Sequence, residues 1–154
     1  MSSHDADSVQ PVRVGRDPGA GAAFTRASVA IGFGSPAGDT GVTRLDLNDI
    51  LVRHPQATFL MRIAGGAMHD LGIDDGDLVL IDRAIAPAHG HVVIAVVADE
   101  FVCRQLSMQG PGIRLQTVQT AGAGSADIVA GEGDQAQELQ IWGVVTQVIK
   151  SMPV

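Results

Sequence analysis

Few residues in this chain have the type and spacing to do covalent chemistry. Across the central stretch no serine lies between Ser35 and Ser107, and the chain's one lysine is Lys150, four residues from its end. The lone cysteine, Cys103, is a potential nucleophile because thiolates are reactive, but it is followed by Arg104, which keeps its proton at any accessible pH, with a pKa above ~12. Side chains alternate along a strand, so Cys103 is expected to point away from where Arg104 points. His89 and His91 could share a metal ion on one strand face. No Cys or Glu partner stands at diagnostic spacing, and a surface turn is the simpler reading. Asp74-Asp75-Gly76-Asp77 has a faint look of a calcium loop but lacks the remaining ligands and the closing Glu. It reads instead as a glycine turn before a strand. Gly65-Gly66 could form an anion nest, or it could simply hold a tight backbone turn. No metal or other cofactor is expected.

The elements that would position these residues are mostly strands. Residues 1–28 are rich in Ser, Gly, Ala, Asp and Arg without periodicity and read as a flexible N-terminal arm. Residues 29–154 form one domain by length. Val29 to Thr43 is expected to be extended with Gly and Pro turns. Asp46 is a suitable helix N-cap, Leu47, Ile50 and Leu51 supply an apolar stripe, and Pro55 stops the helix. Strands are predicted over Phe59–Ile63, Asp77–Asp82, His91–Ala98, Phe101–Met108, Ile113–Val118 and Glu138–Ile149, with a hairpin tip at Asp99-Glu100. Gln119 to Gln135 reads as a Gly/Ala/Asp-rich loop. Sequence alone leaves Trp142 open between the core and a subunit contact.

Composition narrows the function classes. Apolar residues make up 45% of the 154, ample for a core. One cysteine cannot form an internal disulfide, which fits a reducing cytoplasm. No apolar run approaches the ~18–20 residues needed to span a bilayer, and no signal-peptide pattern opens the chain. The net charge is −7. Ten basic residues form no stripe, so direct DNA binding, which relies on neutralising phosphates, is not expected.

The stretch from Thr58 to Leu106 resembles the UmuD branch of the LexA/UmuD self-cleaving peptidases, family S24. In that family a turn reading S-G-D-S-M carries the nucleophilic serine, and a lysine on a later strand, shortly after an E-F pair, is the base. The corresponding turn here is Ala64-Gly65-Gly66-Ala67-Met68, and Glu100-Phe101-Val102-Cys103-Arg104 follows the pattern of the base strand. Ala67 thus stands at the nucleophile's position and Arg104 at the base's. The resemblance runs from about Val29 to Lys150. It includes Ile31-Gly32-Phe33-Gly34-Ser35-Pro36 at the equivalent of the cleavage site, Asp46 to Leu51, His54-Pro55-Gln56-Ala57-Thr58, Gly72-Ile73, Asp75-Gly76-Asp77, His89-Gly90 and Trp142-Gly143-Val144-Val145.

Departures cluster at the chemistry. Ile31 is bulky and β-branched where the family prefers Cys or Ala before the scissile Gly32, Gly66 replaces the acidic turn residue, and His91 replaces an Asp. Such combined losses point to natural divergence rather than a single laboratory Ser→Ala change.

The resemblance implies a mainly β, LexA/UmuD-type fold of coiled, partly barrel-like sheets with one short helix. It also implies a homodimer that partners the catalytic subunit of a Y-family translesion polymerase and engages the recombinase filament formed after DNA damage. The sliding clamp or a LexA/UmuD relative would be further partners. Only 31 residues precede Gly32 and they show no pair of amphipathic helices, unlike the helix-turn-helix repressors of the family. The expected function is a pseudo-peptidase accessory subunit of the SOS response that cannot cleave itself. Self-cleavage by an unconventional dyad, cleavage in trans by an active relative, and inhibition of a relative by heterodimerisation stay open.

Overall fold

A computed structural model describes residues 11–14, 46–119, 127–130 and 138–154. The expectations placed on Val29–Thr43, on Ile31-Gly32 and on most of the arm lie outside the described residues. Among the described residues the chain forms β1 (Val12–Arg13), α1 (Leu47–Leu51), β2 (Thr58–Arg62), a 3-10 turn (His69–Leu71), β3 (Leu78–Asp82), β4 (Val92–Val97), β5 (Glu100–Ser107), β6 (Ile113–Gln116), β7 (Ile128–Ala130) and β8 (Leu139–Ile149).

All the strands join one antiparallel sheet in the order β1-β2-β3-β8-β4-β5-β6-β7. Among the described residues the mainly β architecture with a single short α-helix is thus borne out, as an open sheet with β1 and β7 at its edges rather than a closed barrel. The last strand holds it together. The C-terminal half of β8 pairs with β3, from Leu78↔Ile149 to Asp82↔Val144, and its N-terminal half pairs with β4, from Val93↔Val144 to Val97↔Leu139. Register shifts at Leu80/Ile81 and Ile94/Ala95 absorb the bend between the two pairings.

Period-2 alternation sorts the apolar residues into two clusters. One contains Met61, Met68, Val79, Ile81, Ile94 and Cys103; the other contains Val93, Ala95, Leu106, Leu115 and Val144. Because Ile94 belongs to one and its neighbours to the other, β4 is apolar on both faces, which explains the uninterrupted Val-Val-Ile-Ala-Val-Val of its sequence.

Several local expectations hold and others shift. Asp46 caps α1, its carboxylate accepting from the Asn48 N–H at 2.9 Å. The helix ends at Leu51, before Pro55. Its apolar stripe does not reach the core: Leu47 and Ile50 are exposed. The hairpin tip is Ala98-Asp99, one residue earlier than predicted, with φ of 49° and 64°. Two consecutive left-handed residues are what a two-residue turn between right-twisted strands requires, and Glu100 already pairs with Val97. The stretch predicted as a loop from Gln119 to Gln135 contains β7, paired with β6 at Ile113↔Ala130; three residues are too few to show a period. Two residues of the segment read as a flexible arm form β1, with Arg13 opposite Phe59 and its guanidinium 5.5 Å from that ring's centroid.

Trp142 is half-buried on the sheet. It meets Phe59 and Phe101 edge to face at 4.9 and 5.6 Å, and Arg83 stacks over it while donating to its carbonyl. Buried Asp82 accepts from the Ala84 N–H and pairs with His54, tying the segment after α1 to the end of β3.

A cleft between the glycine turn and the edge of β5

The glycine turn is held from three sides. Backbone bonds join Ile63 to Asp77 and Gly76 at its base, and the Asp75 carboxylate accepts the Gly65 N–H at 2.8 Å. Gly65 has φ of 85°, a left-handed conformation that favours glycine, with open space around its missing side chain. Gly66 has neither a positive φ nor a crowding neighbour. The backbone therefore requires glycine at only the first of the two.

The third support creates the cleft. After Gln116 the chain leaves β5 and bonds instead to the turn, Val118 N–H to the Ala67 carbonyl at 2.8 Å and Asp70 N–H to the Val118 carbonyl at 2.9 Å. Pairing of β6 with β5 stops at Gln105. The edge of β5 from Phe101 to Arg104 is thus left without a strand partner among the described residues. The gap is a cleft of about 140 Å³.

Ala67 and Arg104, the positions matched to nucleophile and base, both line this cleft, as do Gly65 and Met68. Gly66 lies in the turn between them, while Ile31 and Gly32 fall outside the described residues. Four consecutive residues of β5 line one cleft because the strand presents its edge there. The alternation expected along β5 holds. Val102 and Leu106, of the same parity as Arg104, join one cluster, whereas Cys103 shares the other with Met68, against which Ala67 packs. Cys103, not Arg104, belongs to the buried cluster against which Ala67 packs.

That placement does not make Cys103 reactive. It is buried, and desolvation pushes its thiol up to about 12, with the Arg104 charge only partly opposing this. At neutral pH it is a protonated thiol. Arg104 donates from Nη1 to the Cys103 carbonyl at 2.7 Å, while its Nε is buried without a partner among the described residues. Burial lowers the guanidinium's pKa, and the Cys103 and Asp127 side chains oppose that shift. An acidity constant that starts above ~12 is too far from neutrality for a general base. The lining therefore offers a methyl group, a protonated thiol and a guanidinium, and no nucleophile with a base beside it.

The other candidate groups serve the backbone. His89 accepts from the Met108 N–H and His91 from the Ala88 N–H, each through Nδ1 at 3.1 Å. The aspartate turn holds a charge network that sequence reading missed, because its partner is 73 residues or more away. Lys150 bridges Asp74 at 2.7 Å and Asp77 at 2.5 Å, and His69 hydrogen-bonds to Asp74. The Lys150 bond is the main cause holding both carboxylates below their ordinary range, and the two bonds raise the Lys150 pKa in turn. A carboxylate with a depressed native pKa contributes stability above its unfolded value, which is lost as pH falls through the native one. Lys150→Gln should therefore lower stability slightly at pH 7, with the difference from the unsubstituted protein shrinking as pH falls through the carboxylate range and in high salt, because the pair is exposed. Thermal melts across pH 2–7 with and without added salt would measure this.

Comparison with known proteins agrees with this architecture. Residues 23–146 match the model of a family described as peptidase S24-like. The chain belongs to that family, and within it to the UmuD-like branch. It is 34% identical to the protein MucA of Escherichia coli over 127 residues, covering 82% of each chain. It is 38% identical to SamA of Salmonella typhimurium over 118 residues, 77% of each. To ImpA of Shigella flexneri it is 37% identical over 118 residues, 77% of this chain and 76% of the relative.

Proposed function

We propose that this protein is a UmuD-like accessory subunit of the SOS response to DNA damage that has lost self-cleavage. The observation that carries the proposal is that Ala67 and Arg104, at the positions matched to nucleophile and base, both line the cleft that the glycine turn and β5 frame. A methyl group cannot attack a carbonyl carbon, and a guanidinium cannot take a proton from a hydroxyl. Cys103 offers no substitute, since a thiol titrating at about 12 is unavailable near neutrality.

What remains is a scaffold that binds. In this reading a cytoplasmic homodimer of the protein partners the catalytic subunit of a Y-family polymerase and meets the recombinase filament on damaged DNA. The sliding clamp or a LexA/UmuD relative provides a further contact. The N-terminal arm stays attached, so the protein restrains or tunes mutagenic synthesis rather than switching on by processing. With a net charge of −7, it reaches DNA through its partners.

Purified protein incubated with activated recombinase filament, and separately at alkaline pH, should yield no fragment beginning at Gly32. Mass spectrometry showing that fragment would overturn the inert reading. Restoring the dyad with Ala67→Ser and Arg104→Lys is expected to recover little cleavage, because Ile31 still precedes the scissile bond and Gly66 still replaces the turn's acid. Rapid processing of the double variant would show that the scaffold and bond had stayed competent.

A further inference from the structure

The cleft left without hydrolytic chemistry is still a formed concavity holding one charge. Apolar walls come from Met68, Ile94 and Phe101, and among the described residues Arg104 is the one charged side chain in the lining, with the Asp127 carboxylate acting on it electrostatically. At about 140 Å³ it is close to the roughly 150 Å³ of an apolar cavity that admits benzene, enough for one aliphatic side chain. A guanidinium presents its donors as a planar fork that matches a carboxylate. Among the described residues Nη1 of Arg104 donates to the Cys103 carbonyl, and Nε is buried with no acceptor. A buried unpaired donor is costly, and a carboxylate would satisfy it. On the opposite wall the N–H groups of Ala67 and Met68 donate to nothing among the described residues. Backbone donors of this kind, grouped at a turn, favour anions.

We infer that the cleft binds a peptide carboxylate on Arg104, with the adjoining aliphatic side chain packed against Met68, Ile94 and Phe101. This rests on the reading that Arg104 does not serve hydrolysis. A peptide C-terminus and an aspartate side chain supply the same chemistry, and a C-terminal aliphatic residue combines both features in the smallest volume.

The test uses the full chain and three probes: acetyl-Gly-Ala-Val with a free C-terminus, its C-terminal amide, and acetyl-Ala-Asp-Val amide. Trp142, the chain's single tryptophan, touches Phe101 at 5.6 Å, so its fluorescence reports occupancy, with calorimetry as a check. The free acid is expected to bind at least tenfold more tightly than its amide, the scale of one charge-assisted bond. Arg104→Gln should erase that preference and Arg104→Lys should keep part of it. Ala67→Leu should block binding of every probe by filling the cleft, which gives an independent check if Arg104→Gln does not fold. Equal binding of the aspartate probe and the acid would assign the carboxylate to a side chain; weaker binding would assign it to a C-terminus. Equal affinity for acid and amide, no binding of either, or a preference that survives Arg104→Gln would overturn the inference. A failure here leaves the inert reading standing, since only the digestion assay bears on that.

Discussion

Ile94→Ala is expected to destabilise the protein by about 2–5 kcal/mol, the range for deleting a large aliphatic side chain from a packed interior. The upper half of that range is the expectation for physical reasons. Ile94 is fully buried, pairs with Cys103 on one side and Gly143 on the other, and forms part of the cleft wall. With β4 held between β5 and β8, the backbone cannot collapse into the vacated space. Urea denaturation followed by Trp142 fluorescence should show the midpoint falling with the slope unchanged. A loss under about 1 kcal/mol would mean that the cleft relaxes around the missing atoms, and that this part of the core is not rigid.

Gly143→Ala should destabilise by about 1–3 kcal/mol although it adds one carbon, because overpacking a tight core forces its neighbours off their rotamers. A Cβ built at Gly143 would lie 2.5 Å from the Ile81 Cγ2 and 3.2 Å from the Arg83 Cγ. Ile81 is itself fully buried and β-branched, so its methyl has one stiff rotamer and nowhere to turn. Gly143 faces Ile94 beside the register shift where β8 passes from one partner to the other, a place where a strand glycine marks close approach. Pairing Gly143→Ala with Ile81→Leu, which removes the Cγ2 methyl, gives the discriminating measurement. Recovery of most of the lost stability in the double variant would locate the strain at this contact, and strict additivity would refute it.

Much of the fold was legible because strands carry their own signal. Alternation and β-branched runs located β2 to β6 and β8 to within one residue at each end, except β6, which stops two residues short at Gln116, and Asp46 announced the helix start by its capping chemistry. Misplacements occurred where the signal is short or cooperative. A three-residue β7 has no period, and the hairpin tip shifted because turn geometry, not hydrophobicity, selects its two residues. Arg104 and Ala67 were named from a motif, yet which of Cys103 and Arg104 joins the cluster under Ala67 depended on how a whole strand edge faces the turn.

The residues alone determined which functional groups exist here. With no serine in the central stretch and a lysine only at Lys150, the available chemistry was bounded before any folding, since side-chain identity fixes what can donate, accept or attack. Tertiary structure decided where those groups lie and in what state. It threaded β8 between β3 and β4, peeled the chain after β6 away from β5 to open the cleft, buried Cys103 until its thiol holds its proton, and brought Lys150 to Asp74 and Asp77. Contacts of that kind join residues far apart in the chain, where local pattern carries no information, and burial and charge pairing set protonation only once the sheet has formed.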